Sequence, residues 1–310
     1  MRKKINRRIF LKTGSAFGIL ALLSRPLRAK FRKNNSSVDL AVVKGTDCLR
    51  MVGEAVALLG GIERFVPRGA RVALLPNPGS SNPGTYTKPE IMRAAIKLCR
   101  NAEASKIACI TWLTMGDWIA CGLKKIIDEE GVDLDITDLR DESQFRPVVV
   151  PKGVHIKEVR ILNTLYNYDV LIALPITKEH SGNKYSGALK NMMGLNSPKS
   201  CRKFHRKDWI FNSEDIEYLE QCIADLNTVV RSDLCIMDAT EFVITNGPYG
   251  PGGLSRPQKI IAGTDHVAVD AYCARFFGLK PAEVFAVKQA YKMGLGEMDL
   301  TKLNVREITI

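Results

Sequence analysis

Short apolar runs alternate with stretches of helical spacing along this chain. Residues 39–45, 71–75, 106–112 and 132–137 read as strands, and residues 48–59, 88–100 and 116–130 as helices between them. Gly60-Gly61 supplies a C-cap for the first helix. The loop from Pro76 to Pro89 is rich in Ser, Gly, Pro and Asn, too polar for core and long enough to form a lid or binding loop. Strand–helix alternation predicts parallel strands joined by right-handed crossovers. Residues 145–150 and 155–162 break that rhythm and predict an antiparallel excursion around a Pro-Lys-Gly turn. Residues 170–174, 233–237, 259–262 and 305–310 read as further strands. Residues 213–231, 265–278 and 281–293 read as helices, the first with Ser213 as its N-cap. Residues 199–207 are basic and read as irregular. The expected architecture is α/β: a mostly parallel sheet with helices on both faces and a few antiparallel strands, in one domain over 34–310.

Composition changes the picture at the N-terminus only. The chain has 310 residues, a hydrophobic fraction of 45% and a formal charge of +12. Residues 1–33 hold eleven Lys and Arg and no acidic residue, which leaves 34 basic against 33 acidic residues in the rest. The basicity belongs to a leader, so no nucleic-acid partner is expected. Asn6-Arg7-Arg8-Ile9-Phe10-Leu11-Lys12 matches the twin-arginine export signature, and an apolar run from Gly14 to Leu23 follows, too short to span a bilayer comfortably. Residues 1–33 are therefore read as a twin-arginine signal peptide and linker. The expected partner is the twin-arginine translocation machinery, and the expected location the periplasm or the outer face of the cytoplasmic membrane. Leu27-Arg28-Ala29 is a poor cleavage site, so an uncleaved leader could also serve as a membrane anchor.

The stretch 169–194, DVLIALPITKEHSGNKYSGALKNMMG, is where chemistry concentrates: an apolar strand, a polar loop, then a segment that can coil as a helix. In α/β proteins, ligands sit beyond the carboxyl ends of the strands. If all strands ran parallel, that edge would gather Asn77, Lys178, His180, Asp238, Asn246, Gly247 and Asp265. His180, Lys178 and Asp238 are the candidate catalytic residues. Asn77, Lys190, Asn191, Asn246 and Gly247 are the candidate substrate-binding residues, the lysines suiting anionic groups. Asp238 and Asp265 could equally cap the segments that follow them. Asp270, among Ala and Val, must be paired or face a cavity.

The four histidines form no zinc pattern. A mixed oxygen and single-nitrogen metal site from His180 and Asp265, with Asp238, is an open alternative, so a divalent metal is the candidate cofactor. The eight cysteines include no C-x-x-C pair and read mostly as small core residues. Cys201, in SCRKFHRK, reads as an exposed thiol activated by neighbouring cations.

RVALLPN followed by KPEIMRAAIKLC, then DVLIALPITKEH with SGALKNMMG, then LCIMDA, NGPYGPGG and IIAGTDHVAVDAYCARFFG together resemble the domain of unknown function 362 family. The resemblance covers about Asp39 to Gly278. Two positions depart from the family's pattern: Leu75 stands where a lysine usually precedes Pro-Asn, and Lys178-Glu179-His180 where Lys-Thr-His is common. The resemblance implies an α/β fold and a clustered site, but no settled reaction. Many members add a ferredoxin-like segment; this chain has no iron–sulfur motif. The expected function is an exported enzyme of redox or metal-assisted type acting on an anionic small molecule. The alternatives are a non-catalytic ligand-binding protein and a maturation factor for an exported redox enzyme.

Overall fold

A computed structural model describes residues 38–310. The leader read at 1–33 lies outside the described residues. The strands are β1 (Leu40–Lys44), β2 (Arg71–Pro76), β3 (Lys106–Thr111), β4 (Asp133–Ile136), β5 (Phe145–Val149), β6 (Glu158–Leu162), β7 (Val170–Leu174), β8 (Leu234–Ala239), β9 (Phe242–Val243), β10 (Leu254–Ser255), β11 (Lys259–Gly263) and β12 (Val305–Thr309). The helices are α1 (Cys48–Leu58), α2 (Pro89–Asn101), α3 (Met115–Ala120), α4 (Leu123–Glu130), α5 (Ala188–Asn191), α6 (Pro198–Phe204), α7 (Ser213–Asn227), α8 (His266–Ala274) and α9 (Phe285–Lys292).

Eight strands form one sheet in the order β12-β1-β11-β8-β7-β2-β3-β4. Seven of them run the same way, and β11 alone runs against both its neighbours. The expected mostly parallel sheet is therefore present. The excursion β5–β6 is an antiparallel pair outside it, as is β9–β10.

Alternation along each strand explains the two layers. Val170, Ile172 and Leu174 of β7 point to a core shared with α1, α2 and α4, whereas Leu171 and Ala173 point to a core shared with α5, α7, α8 and α9. All five β7 residues are buried, as expected of a central strand covered on both faces. At about 2 kcal/mol for each large aliphatic side chain removed from water, this strand fixes its own depth in the sheet.

Local chemistry adjusts several boundaries. Gly122, in the left-handed region at φ 77°, breaks the helix expected over 116–130 into α3 and α4. Asn212, not Ser213, caps α7, accepting from Glu214 N and Asp215 N. The basic stretch expected to be irregular is the helix α6, with Pro198 in its first turn and the Ser197 hydroxyl accepting from Ser200 N. None of the helices among the described residues is long and apolar enough to cross a membrane.

Candidate active site at the carboxyl edge of the sheet

The carboxyl ends of β2, β7 and β8 deliver the site. Asn77 directly follows β2 and Lys178 lies four residues beyond β7, at an isolated bridge with Ser186. The loop then returns through Gly187, and α5 presents Lys190 and Asn191. Lys178 is 3% exposed, and its amine donates to Thr85 O at 2.6 Å and to Asn77 Oδ1 at 3.2 Å. Asn77 Nδ2 donates to Asn191 Oδ1 at 3.2 Å, and Asn191 Nδ2 donates to Leu75 O at 3.1 Å. Because Leu75 O can only accept, both amides have one orientation, and the chain of donors runs from Lys178 towards β2. Thr87 holds the far side of Asn77: its hydroxyl accepts from Asn77 N at 2.8 Å and donates to Leu174 O at 2.5 Å.

Burial governs the protonation of these groups. It pushes the Lys178 amine down to about 7, with the charge of Lys190 adding to the effect. Two acceptors match the two N–H bonds of a neutral amine and leave it one lone pair. Burial likewise lowers Lys190 to about 8, against the pull of Glu220. The Lys190 amine is buried and has no hydrogen-bond partner among the described residues. Its charge acts on Lys178, His180 and His205 alike.

His180 is 3% exposed and donates from Nδ1 to Ser181 O at 2.8 Å. A carbonyl cannot donate, so the proton is on Nδ1 and Nε2 carries the lone pair. Burial first, and then the Lys190 charge, keep the ring neutral, its pKa lowered to about 2. His205 repeats the arrangement, with Nδ1 on Cys201 O at 2.9 Å. Both rings pack on Trp209, at centroid distances of 5.5 and 4.8 Å.

The glycine-rich loop supports this site from behind. Gly247 N donates to the Glu179 carboxylate, and Gly247 O accepts from Ser181 N at 3.1 Å and Ser181 Oγ at 2.7 Å. A Cβ on Gly247 would stand 1.9 Å from Glu179 O. Gly247 thus holds the 179–181 backbone and offers no free donor to a ligand. Asn246 is exposed, at φ 58°, with its amide on Pro251 O at 3.1 Å. It shapes the turn instead of facing Lys178.

Asp238 reaches the same sheet edge, but its carboxylate is committed. It accepts from Lys88 N at 2.9 Å, from Thr240 N at 2.9 Å and from Thr240 Oγ1 at 2.8 Å. Asp265 is a correction. Because β11 is reversed, its carboxyl end pairs beside Cys235, at the start of β8, and Asp265 stands at the opposite edge of the sheet from His180. There it caps α8, accepting from Val267 N and Ala268 N, and also takes Glu297 N. The pairing of His180 with Asp265 as metal ligands is overturned by strand direction. Among the described residues no group of three or more His, Cys, Asp or Glu side chains is placed to hold a metal ion.

Cys201 is a second correction. It is buried at 8% exposure, and burial pushes its thiol up to about 12 despite Lys190 nearby. Formation of α6 turns it inwards, towards Asn196 and Met193 O.

Three participants carried weak sequence signals. Glu220 sits among the apolar residues of α7, 3% exposed, bonded to Asn183 Nδ2 and accepting from Ala286 N at 2.8 Å. A charge at a core-phase position of an amphipathic helix was its signal. Thr85 and Thr87 had none beyond lying in the polar loop after β2.

No curated protein matches this chain. Among solved structures, the lactate racemase apoprotein from Thermoanaerobacterium thermosaccharolyticum is similar at 13% identity and a TM-score of 0.40, over 72% of this chain and 55% of that one. A Thermotoga maritima protein is similar at 7% identity and a TM-score of 0.41, over 62% of this chain and 51% of that one. The chain spans about half the length of each, and likenesses this distant do not reach to function. The family model described as "Domain of unknown function (DUF362)" matches residues 72–275, most of the described fold and the whole lysine–histidine cluster, and the chain belongs to that family.

Proposed function

We propose that this protein is an exported enzyme that binds an anionic small molecule through Lys190 and moves a proton with His180. One observation carries the reading: a buried amine without a hydrogen-bond partner stands beside two nitrogen bases that burial holds down. An unpaired buried cation is costly, and a carboxylate or phosphate group would remove that cost. The ring of His180 is fixed by Ser181 O and presents an unprotonated Nε2; an anion bound beside it would offset the Lys190 charge and raise its proton affinity from the low value that burial sets, as proton transfer requires. Lys178, held by Asn77 and Thr85, is the second proton carrier. Of the residues read as candidate metal ligands, His180 keeps its Nε2 lone pair, whereas Asp238 and Asp265 are spent on backbone N–H groups.

Calorimetry of the purified protein against inorganic phosphate and a panel of small carboxylates tests the anion site. Wild type should bind a member of the panel, and Lys190→Met should abolish that binding. Deuterium incorporation into the bound carboxylate in heavy water then separates an enzyme from a binder. His180→Ala should stop incorporation and keep affinity, whereas a non-catalytic binder would show affinity with no incorporation to lose. Binding that survives Lys190→Met would remove the basis of the proposal. Export is tested separately by fractionation: Arg7→Lys with Arg8→Lys should leave the protein in the cytoplasm.

A further inference from the structure

Residues 199–211 pack against the site through Trp209 and have a chemistry the site does not use. This stretch contains Lys199, Arg202, Lys203, Arg206 and Lys207, all exposed, and one acidic residue, Asp208. The chain beyond residue 33 is otherwise close to neutral, so the excess is local. Arg206 is engaged, 3.6 Å from Asp215 and stacked over Tyr218. The other four make no ion pair among the described residues. The stretch ends in Ile210, 36% exposed, and Phe211, 89% exposed. An aromatic ring standing almost wholly in water beside a cluster of cations is an arrangement that a folded surface gains nothing from by itself.

The segment is also anchored. Phe204 and Cys201 of α6 are buried beneath it, and the Trp209 ring packs on His180 and His205. Gly182, in the left-handed region, lets the loop after His180 approach closely; a Cβ there would meet Trp209 O at 2.7 Å. Phe211 is therefore presented on a fixed base, with the cations on the same short stretch.

We infer that residues 199–211 dock on an anionic lipid surface, with Phe211 and Ile210 entering the headgroup region and Lys199, Arg202, Lys203 and Lys207 meeting the lipid phosphates. Charge complementarity selects this partner, and the exposed apolar tip favours a bilayer over a nucleic acid, which would offer the ring no apolar layer. A polybasic patch with one apolar insertion is the kind of weak second anchor that stable membrane attachment needs. Docking here would bring the Trp209 side of the lysine–histidine cluster towards the membrane. The inference stands whether or not the proposed chemistry is correct.

The test uses the full chain, so that the leader contributes equally to every variant. Sedimentation with phosphatidylglycerol vesicles is compared with phosphatidylcholine vesicles. Each cation near an anionic surface contributes a factor of about five, so Lys199→Gln with Arg202→Gln and Lys203→Gln should weaken phosphatidylglycerol binding about a hundredfold. High salt should weaken wild type similarly. Phe211→Trp gives the local readout once the wild-type signal of Trp112, Trp118 and Trp209 is subtracted: the added fluorescence should be quenched by brominated lipids, and circular dichroism checks that each variant is folded. Equal vesicle binding by wild type and the triple variant, or a tryptophan at 211 that brominated lipid does not quench, would overturn the inference. So would binding to RNA or an acidic protein without binding to vesicles.

Discussion

The carboxylate of Asp270 accepts the backbone N–H of Ala188 at 2.6 Å, and it also takes Leu189 N and the Tyr185 hydroxyl, each at 2.9 Å. α8 thereby fixes the first turn of α5, and with it the positions of Lys190 and Asn191. Burial raises the Asp270 carboxyl to about 7. A group whose folded pKa is raised contributes stability that is fully present below its unfolded pKa, near 4, and is lost as pH rises towards 7. Asp270→Asn should therefore flatten the pH dependence of stability between about pH 4 and 7 relative to wild type. Asp270→Ala should cost about 3 kcal/mol by leaving buried donors unmatched. Urea denaturation across that pH range measures both.

Lys190→Met should stabilise the protein while abolishing anion binding. Replacing a buried amine that has no hydrogen-bond partner with an apolar side chain of similar length removes a desolvation cost, for a net gain of about 1 kcal/mol after the lost attraction to Glu220. The same site predicts that anion affinity falls as pH rises through about 8, where Lys190 loses its proton. Denaturation and calorimetry on one sample set decide both; a destabilised Lys190→Met would mean that the amine already has a partner.

Gly247→Ala should destabilise by about 3 kcal/mol or disorder the 179–181 loop. The added Cβ falls on Glu179 O, a backbone atom that cannot move without shifting His180. Thermal unfolding measures the loss, and the nuclear magnetic resonance signal of the His180 ring reports the displacement.

Native protein should resist alkylation at all eight cysteines. Each is buried, and the Cys201 and Cys99 thiols are each pushed up to about 12. Iodoacetamide at pH 8 should label the chain only after denaturant is added, by intact mass. Rapid native labelling of Cys201 would show that α6 opens.

The sequence alone determined the layers, the strand segments and the polar loop after β7, because these depend on local periodicity and on where apolar runs stop. It also placed Asn77 and Lys178 near strand ends and Lys190 and Asn191 on a following helix, and the fold joins Lys178 to Asn77 to Asn191 through side chains about a hundred positions apart. Strand direction was decided only by the tertiary structure. An apolar run reads the same for either direction, so the reversal of β11 and the removal of Asp265 to the far edge had no local signal. The same holds for Asp238 and Asp265: a carboxylate at a segment boundary is a cap or a ligand according to which N–H groups the fold brings to it, and Asp270, inside α8, finds its donors on α5. Cys201 was misread for a related reason. Its neighbours in sequence are cations, but in space it is buried against Asn196 and Met193 O, and for a buried thiol desolvation outweighs nearby charge.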